Sequence, residues 1–194
     1  MERIGILPRF TQHDHEIAMR LREHKVSWSG DDFTVKDAVT QGPLFRIDGA
    51  AFSLRGSKSV KDVEGKALFT VRGKFLNIPP KYEAIDPASG QVLLEVSSPL
   101  VSFSSKLKAR FRNVAGSGNE MELQLRGDFL ARKADITTAD GRVVAKIERT
   151  ARLGAANLLF DKQTYVVTVQ PFVDISLIVA LCVCLDERYK DQNK

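Results

Sequence analysis

Apolar and polar residues alternate along most of this chain, and such period-two alternation is typical of antiparallel strands with one face on a core. One apolar face is formed by Ile17, Met19 and Leu21. The same alternation or β-branched composition predicts further strands at 106–112, 121–126 and 165–169. No segment before the last apolar stretch of the chain keeps a helical period for three turns, so the pattern favours an all-β architecture.

Turn signals recur along the sequence at steps of 23 to 26 residues, and they contain Gly42, Gly65, Gly90, Gly116 and Gly141. Aspartate starts such turns through its side chain, glycine supplies a positive φ, and the flanking apolar residues form strands. The spacing predicts two strands per step and roughly a dozen strands in all. Because a sheet of that size curls and closes to remove its edges, we predict a closed antiparallel barrel.

One continuous apolar stretch, residues 172–185 with the sequence FVDISLIVALCVCL, stands apart from the alternation. It is shorter than the roughly 20 residues of a membrane-spanning helix. A helix that is apolar on every side must be surrounded, and the predicted barrel supplies a wall. We therefore expect a central helix with structural positions at Leu177, Ile178, Leu181, Cys182 and Leu185.

Asp174 lies near the start of this predicted helix, shortly after Pro171. A buried carboxylate is costly unless it is paired or hydrogen-bonded. Near a helix start it can cap free N–H groups and face the positive end of the helix dipole. We interpret Asp174 as a structural cap, and a functional role is the alternative.

The chain is long enough for one domain, which we place at residues 15–190. Residues 1–14 are expected to form a flexible N-terminal arm, and residues 188–194 a loose end. Residues 1–14 lack the apolar core and cleavage site of a signal peptide. The two cysteines, Cys182 and Cys184, do not resemble a disulfide framework, so we expect a reducing, cytoplasmic environment, including the membrane periphery.

Longer segments of the chain resemble the LURP-one-related family. The resemblance begins at residues 24–55 with SGDDFTVKD, GPLFRIDG and FSLR, and continues with LFTVRGKFL at 68–76, YEAID at 82–86 and VDISLIVALCVCLDE at 173–187. It covers about residues 15–190. It implies a twelve-stranded barrel around one apolar helix, similar to the Tubby C-terminal domain and the phospholipid scramblases, and it carries over no catalytic residue.

The resemblance implies a non-enzymatic module that binds anionic membrane lipid, such as a phosphoinositide, or acts as an interaction domain. One alternative is a scramblase-like membrane protein with residues 172–185 inserted in the bilayer. Another is a nucleic-acid-associated regulator. The 29 Lys and Arg residues exceed the 24 Asp and Glu residues and give a net charge of +5, which permits an anionic partner but is also compatible with ordinary surface charge.

Four basic residues at spacing two, Lys106, Lys108, Arg110 and Arg112, form the best candidate binding site. On a strand they share one face, with neighbours about 7 Å apart, and such a row could meet several lipid phosphates. The alternative is a solvated face whose charges discourage edge pairing.

Metal and catalytic chemistry find little support in the sequence. His13, Asp14, His15 and Glu16 lack further ligands at zinc spacing, so we predict no metal site and no cofactor there. The three histidines lie within residues 13–24, which leaves little general-base capacity, and we expect no enzymatic activity.

Overall fold

The computed structural model describes residues 1–24, 32–49, 57–74, 81–97, 106–128, 133–149 and 164–192. The strands are β1 (Ile17–His24), β2 (Asp32–Asp37), β3 (Pro43–Gly49), β4 (Lys58–Lys61), β5 (Ala67–Lys74), β6 (Lys81–Ile85), β7 (Val92–Ser97), β8 (Lys106–Arg112), β9 (Glu120–Asp128), β10 (Lys133–Thr138), β11 (Val143–Arg149) and β12 (Thr164–Val169). A 3-10 helix (Pro8–Thr11) precedes β1, and the helix α1 (Ile175–Gln192) follows β12.

The twelve strands of the described ranges form one closed barrel. Each strand pairs antiparallel with the next along the chain, and β1 pairs with β12 to close the ring. Among these twelve described strands, closure leaves no unpaired sheet edge. The predicted fold class, an antiparallel barrel of about twelve strands with one hydrophobic C-terminal helix, is confirmed.

The helix α1 fills the barrel, and the strands turn their apolar residues toward it. Leu177, Ile178, Leu181 and Cys182 are at most 1% exposed, whereas Leu185, near the end of the apolar run, is only partly buried. The helix continues to Gln192, within the segment 188–194 expected to be a loose end, since no Gly or Pro follows Leu185 to stop it. Within the described residues, no helix combines the length and the apolar character needed to cross a membrane.

Asp174 lies directly before α1 and is fully buried. Its Oδ1 accepts hydrogen bonds from the backbone amides of Ser176 and Leu177, at 2.8 and 3.2 Å, and from the Ser176 hydroxyl at 2.6 Å. Burial raises the pKa of this carboxyl group, while its hydrogen bonds act in the opposite direction. The Asp174 carboxylate therefore caps the start of α1. Its hydrogen bonds offset the cost of burying a charged group at this position.

The first residues pack against the barrel, in contrast to the flexible arm expected for residues 1–14. Ile4 and Ile6 are 1% and 4% exposed, because their apolar side chains join the core. The backbone of Gly5 approaches Asp174 so closely that a Cβ at this position would collide with it. The amide of Gly5 also donates to Asn113 Oδ1 at 2.8 Å, which ties the segment to the β8–β9 hairpin.

The hairpin turns differ in detail from the glycine pattern. Positive φ values occur at Gly65, Gly90 and Gly141, as the turn signals predict. In the β2–β3 hairpin the left-handed residue is Gln41, with φ of 61°, and in the β8–β9 hairpin it is Gly118, with φ of 75°. The residue with positive φ therefore lies one residue before Gly42 in the first of these hairpins and two residues after Gly116 in the second.

One ion cluster lies inside the barrel, near the C-terminal half of α1. Lys58 on β4 is 3% exposed, and its Nζ contacts Glu187 Oε1 at 2.8 Å and Asp186 Oδ2 at 3.5 Å. The same Nζ lies 4.4 Å from the ring centroid of Phe33. The two carboxylates and the aromatic face together compensate a charge that would be very costly alone.

Candidate anion-binding surfaces

The basic row predicted from the sequence lies on β8. Lys108, Arg110 and Arg112 are exposed on its outer face, while Leu107, Ala109 and Phe111 are buried on the inner face. The backbone of Lys106 belongs to the same strand, and its side chain lies outside the described part of the structure. The period of the strand thus produces the shared face that the spacing predicts.

A carboxylate on the next strand pairs with two of the four cations in this row. Glu122 on β9 contacts Lys108 Nζ at 3.0 Å and Arg110 Nε at 3.1 Å. The hydrogen bond from Lys108, followed by that from Arg110, lowers the pKa of Glu122 although partial burial acts against it. Arg112 donates instead to the carbonyl oxygen of Gly118 at 2.8 Å. The row is therefore mixed in charge, which weakens its attraction for an anion.

A second basic surface lies on β1 and β2, and sequence reasoning missed it. Arg20 and Arg22 point outward, because Met19 and Leu21, which alternate with them, are fully buried. The strand register places Arg20 opposite Lys36 and Arg22 opposite Thr34. These four side chains line a shallow cleft of about 90 Å³, several times the space that one water molecule requires.

The residues that lie directly opposite Arg20 and Thr34 in the strand register are uncharged or basic. On the β12 side, Arg20 lies opposite Val166, and the neighbouring outward positions are Thr164 and Thr168. On the β3 side, Arg46 lies opposite Thr34, and its Nε contacts Asp48 at 2.7 Å. Asp48 also contacts Lys61 at 2.8 Å, so that its charge is already compensated. Within the described residues, neither Arg20 nor Lys36 forms an ion pair with a carboxylate.

The cleft has the chemistry of an anion site. Its guanidinium groups are planar forks of donors of the kind that matches phosphate oxygens, and Lys36 adds a compact positive charge. The spacing of Arg20 and Arg22 is visible in the sequence, but Lys36 joins them only through strand pairing. The sequence signal that was available is the outward alternation of basic residues on β1.

The histidine segment contributes to packing at the start of β1. His13 Nε2 lies 2.8 Å from the carbonyl oxygen of Val173, and its Nδ1 lies 2.8 Å from that of His15. His15 Nδ1 contacts Asp14 Oδ1 at 3.0 Å. Over the described ranges, no group of three His, Cys, Asp or Glu side chains is arranged to hold a metal ion.

A comparison with known protein families matches residues 17–186 to the LURP-one-related family. The chain belongs to the LURP-one-related family. The curated protein LURP-one-related 5 of Arabidopsis thaliana is 27% identical to it over 188 residues, which is 92% of this chain and 86% of the relative. The family assignment made from the sequence motifs is thus confirmed.

A solved structure of the same architecture also matches. The X-ray structure of an Arabidopsis thaliana protein has a TM-score of 0.66 to this chain at 20% identity, and the match covers 95% of this chain and 97% of that one. At this identity the likeness shows a shared fold.

Proposed function

We propose that this LURP-one-related chain is a non-enzymatic, peripheral membrane module of the cytoplasm that binds anionic phospholipid through the β1–β2 cleft. The observation that carries the proposal is the convergence of Arg20, Arg22 and Lys36 on one outward-facing cleft. Basic residues at an anionic leaflet each contribute about 1 kcal/mol to binding. The positive net charge of the chain supports the same partner.

The two basic surfaces lie on opposite sides of the barrel. In the ring, β9 to β12 separate β8 from β1, and β3 to β7 separate β8 from β2. A flat bilayer can therefore contact the cleft or the β8 row, but not both at once. The compensation of Lys108 and Arg110 by Glu122 favours the cleft, and the β8 row stays a prediction that the same experiment tests.

The test is co-sedimentation with vesicles of phosphatidylcholine and phosphatidylserine at two salt concentrations. The double variant Arg20→Gln, Lys36→Gln removes two positive charges from the cleft, and Lys108→Gln, Arg110→Gln removes two from the β8 row. We expect the first variant to bind about thirtyfold more weakly, since two contacts of about 1 kcal/mol are lost. The second variant has the same net charge and should bind like the parent.

The dependence of vesicle binding on salt concentration is the second criterion. Binding should weaken from about 0.1 M to 1 M salt, because the Debye length falls from about 10 Å to about 3 Å. A parent protein that stays in the supernatant with anionic vesicles at low salt would overturn the proposal. Equal losses in the two double variants would show attraction by net charge alone and would remove the cleft from the proposal. A loss confined to the second variant would place binding on the β8 row.

A further inference from the structure

The large apolar side chains that are exposed in the described part of the chain lie in or next to turns at one end of the barrel, or at the N-terminus that packs there. They are Val39 in the β2–β3 hairpin, Val63 in the β4–β5 hairpin, Val92 at the start of β7, Val114 in the β8–β9 hairpin, and Met1. Val39 has the largest exposed fraction among them, at 84%. Single exposed apolar residues are common, so their surroundings decide what they can bind.

Val39 adjoins the basic cleft. It follows Lys36 by three residues, across a turn in which the amide of Gln41 donates to the carbonyl oxygen of Asp37 at 3.0 Å. The hairpin residues 38–42 carry no charged side chain. Asp37 Oδ1 accepts hydrogen bonds from the amides of Val39 and Thr40, at 2.8 and 2.7 Å, which fixes the tip relative to the strand. The uncharged tip thus follows the cleft along the chain, and the Asp37 carboxylate between them is held by the amides of the tip.

The other exposed valines lie in different electrostatic surroundings. Val63 lies between Asp62, whose Oδ2 contacts Arg9 at 3.0 Å, and Glu64, whose negative charge opposes an anionic surface. Val114 lies in the β8–β9 hairpin, which is opposite the β2–β3 hairpin in the ring, with four strands between them on each side. A bilayer that contacts the cleft therefore reaches Val39 and not Val114.

We propose that the β2–β3 hairpin inserts Val39 into the interfacial layer of an anionic bilayer while Arg20 and Lys36 bind the headgroups. The inference rests on the proposed function and adds to it the orientation and depth of docking. The headgroup layer on each side of a bilayer is about 5–7 Å thick. Val39 lies at the tip of the hairpin and Lys36 lies behind it on β2, so that the cations face the headgroups when the valine meets the acyl boundary. The charge of the cleft selects an anionic bilayer as the occupant of this surface.

The experiment places an environment-sensitive fluorophore at single sites in the full chain. Val39→Cys and Val114→Cys provide the sites, and the native Cys182 and Cys184 are buried, so labelling is confined to the new thiol. With phosphatidylserine vesicles, the label at residue 39 should shift to shorter wavelengths, and the label at residue 114 should not shift. The matched pair Val39→Asn and Val114→Asn tests energetics, and only Val39→Asn should weaken vesicle binding, by about tenfold.

Each alternative outcome has a distinct meaning. Blue shifts at both positions would show docking by the whole end of the barrel and would overturn this orientation. Pelleting of the labelled proteins without a shift at residue 39 would overturn insertion while leaving headgroup binding in place. If none of the proteins pelleted with anionic vesicles, the proposed function itself would fail, and the inference would fail with it.

Discussion

The carboxylate of Asp174 accepts a hydrogen bond from the backbone amide of Leu7 at 2.7 Å, across 167 residues of sequence. The same oxygen accepts from the amide of Ile6 at 3.1 Å, while the other oxygen caps α1. One buried side chain thus joins the beginning of the chain to the start of the central helix. Its hydrogen bonds are shielded from water, which makes each of them costly to lose.

Replacement of this carboxylate should be strongly destabilising. Asp174→Ala removes the cap and leaves buried amides unpaired, so the free energy of unfolding should fall by at least about 3 kcal/mol. Asp174→Asn keeps one acceptor oxygen and should lose less. Urea unfolding measures both, with Asp135→Ala as a control at an exposed strand position. An Asp174→Ala protein as stable as the control would contradict the dual role.

Removal of residues 1–7 should also destabilise the barrel. The deletion exposes core surface that Ile4 and Ile6 cover and leaves Asn113 Oδ1 and Asp174 Oδ2 without their amide donors. We expect a melting temperature lower by several degrees, since a loss of about 1 kcal/mol corresponds to roughly 2–4 °C for a domain of this size. An unchanged melting temperature would restore the flexible arm expected from the sequence.

The ion cluster inside the barrel provides a coupling test. Lys58→Met leaves Asp186 and Glu187 without their buried cation, and breaking such a pair costs about 3–5 kcal/mol. Adding Glu187→Gln to Lys58→Met should recover part of this loss, because one uncompensated charge is removed. A double-mutant cycle by chemical denaturation measures the coupling, and strictly additive losses would contradict a direct interaction.

Protonation of a hairpin aspartate should contribute to the loss of folding stability at low pH. Asp86 Oδ1 accepts from the amide of Ala88 at 2.7 Å, and this bond, followed by that from Ser89, lowers the pKa of Asp86. A lowered pKa stabilises the fold above the unfolded value of about 3.9, and that stabilisation is lost as the pH falls through the folded value. The stability difference between the parent and Asp86→Asn should therefore be largest near pH 7 and should shrink at pH 3. Asp135→Asn serves as the control, and a difference that does not change with pH would refute the link.

The two cysteines should be unreactive in the folded protein. Burial, the largest cause, raises the pKa of Cys182 to about 12 and also raises the pKa of Cys184. Since the thiolate is the reactive form, an aromatic disulfide reagent at pH 8 should modify neither residue until the protein unfolds, and then both. Rapid native labelling would show that the end of the helix opens to solvent.

The sequence predicted the elements that depend on local pattern. Alternation at β8 and β9 placed the inward and outward residues, because successive side chains on a strand point to opposite faces. The apolar stretch at 172–185 predicted a helix enclosed by the rest of the protein, since none of its faces is polar enough to be exposed to water. The burial of Ile4 and Ile6 was not visible in the sequence, because two apolar residues are too few to form a recognisable period.

The tertiary structure decided which distant residues meet. Arg20 and Lys36 lie opposite each other only through the register of β1 and β2, and Glu122 reaches Lys108 only through that of β8 and β9. The sequence showed the basic row on β8 but not its compensation, and it did not show the cleft. Side-chain period is a property of each strand alone, whereas register depends on turns, neighbouring strands and the packed helix together. The charge pattern of the barrel surface is therefore a property of the closed ring.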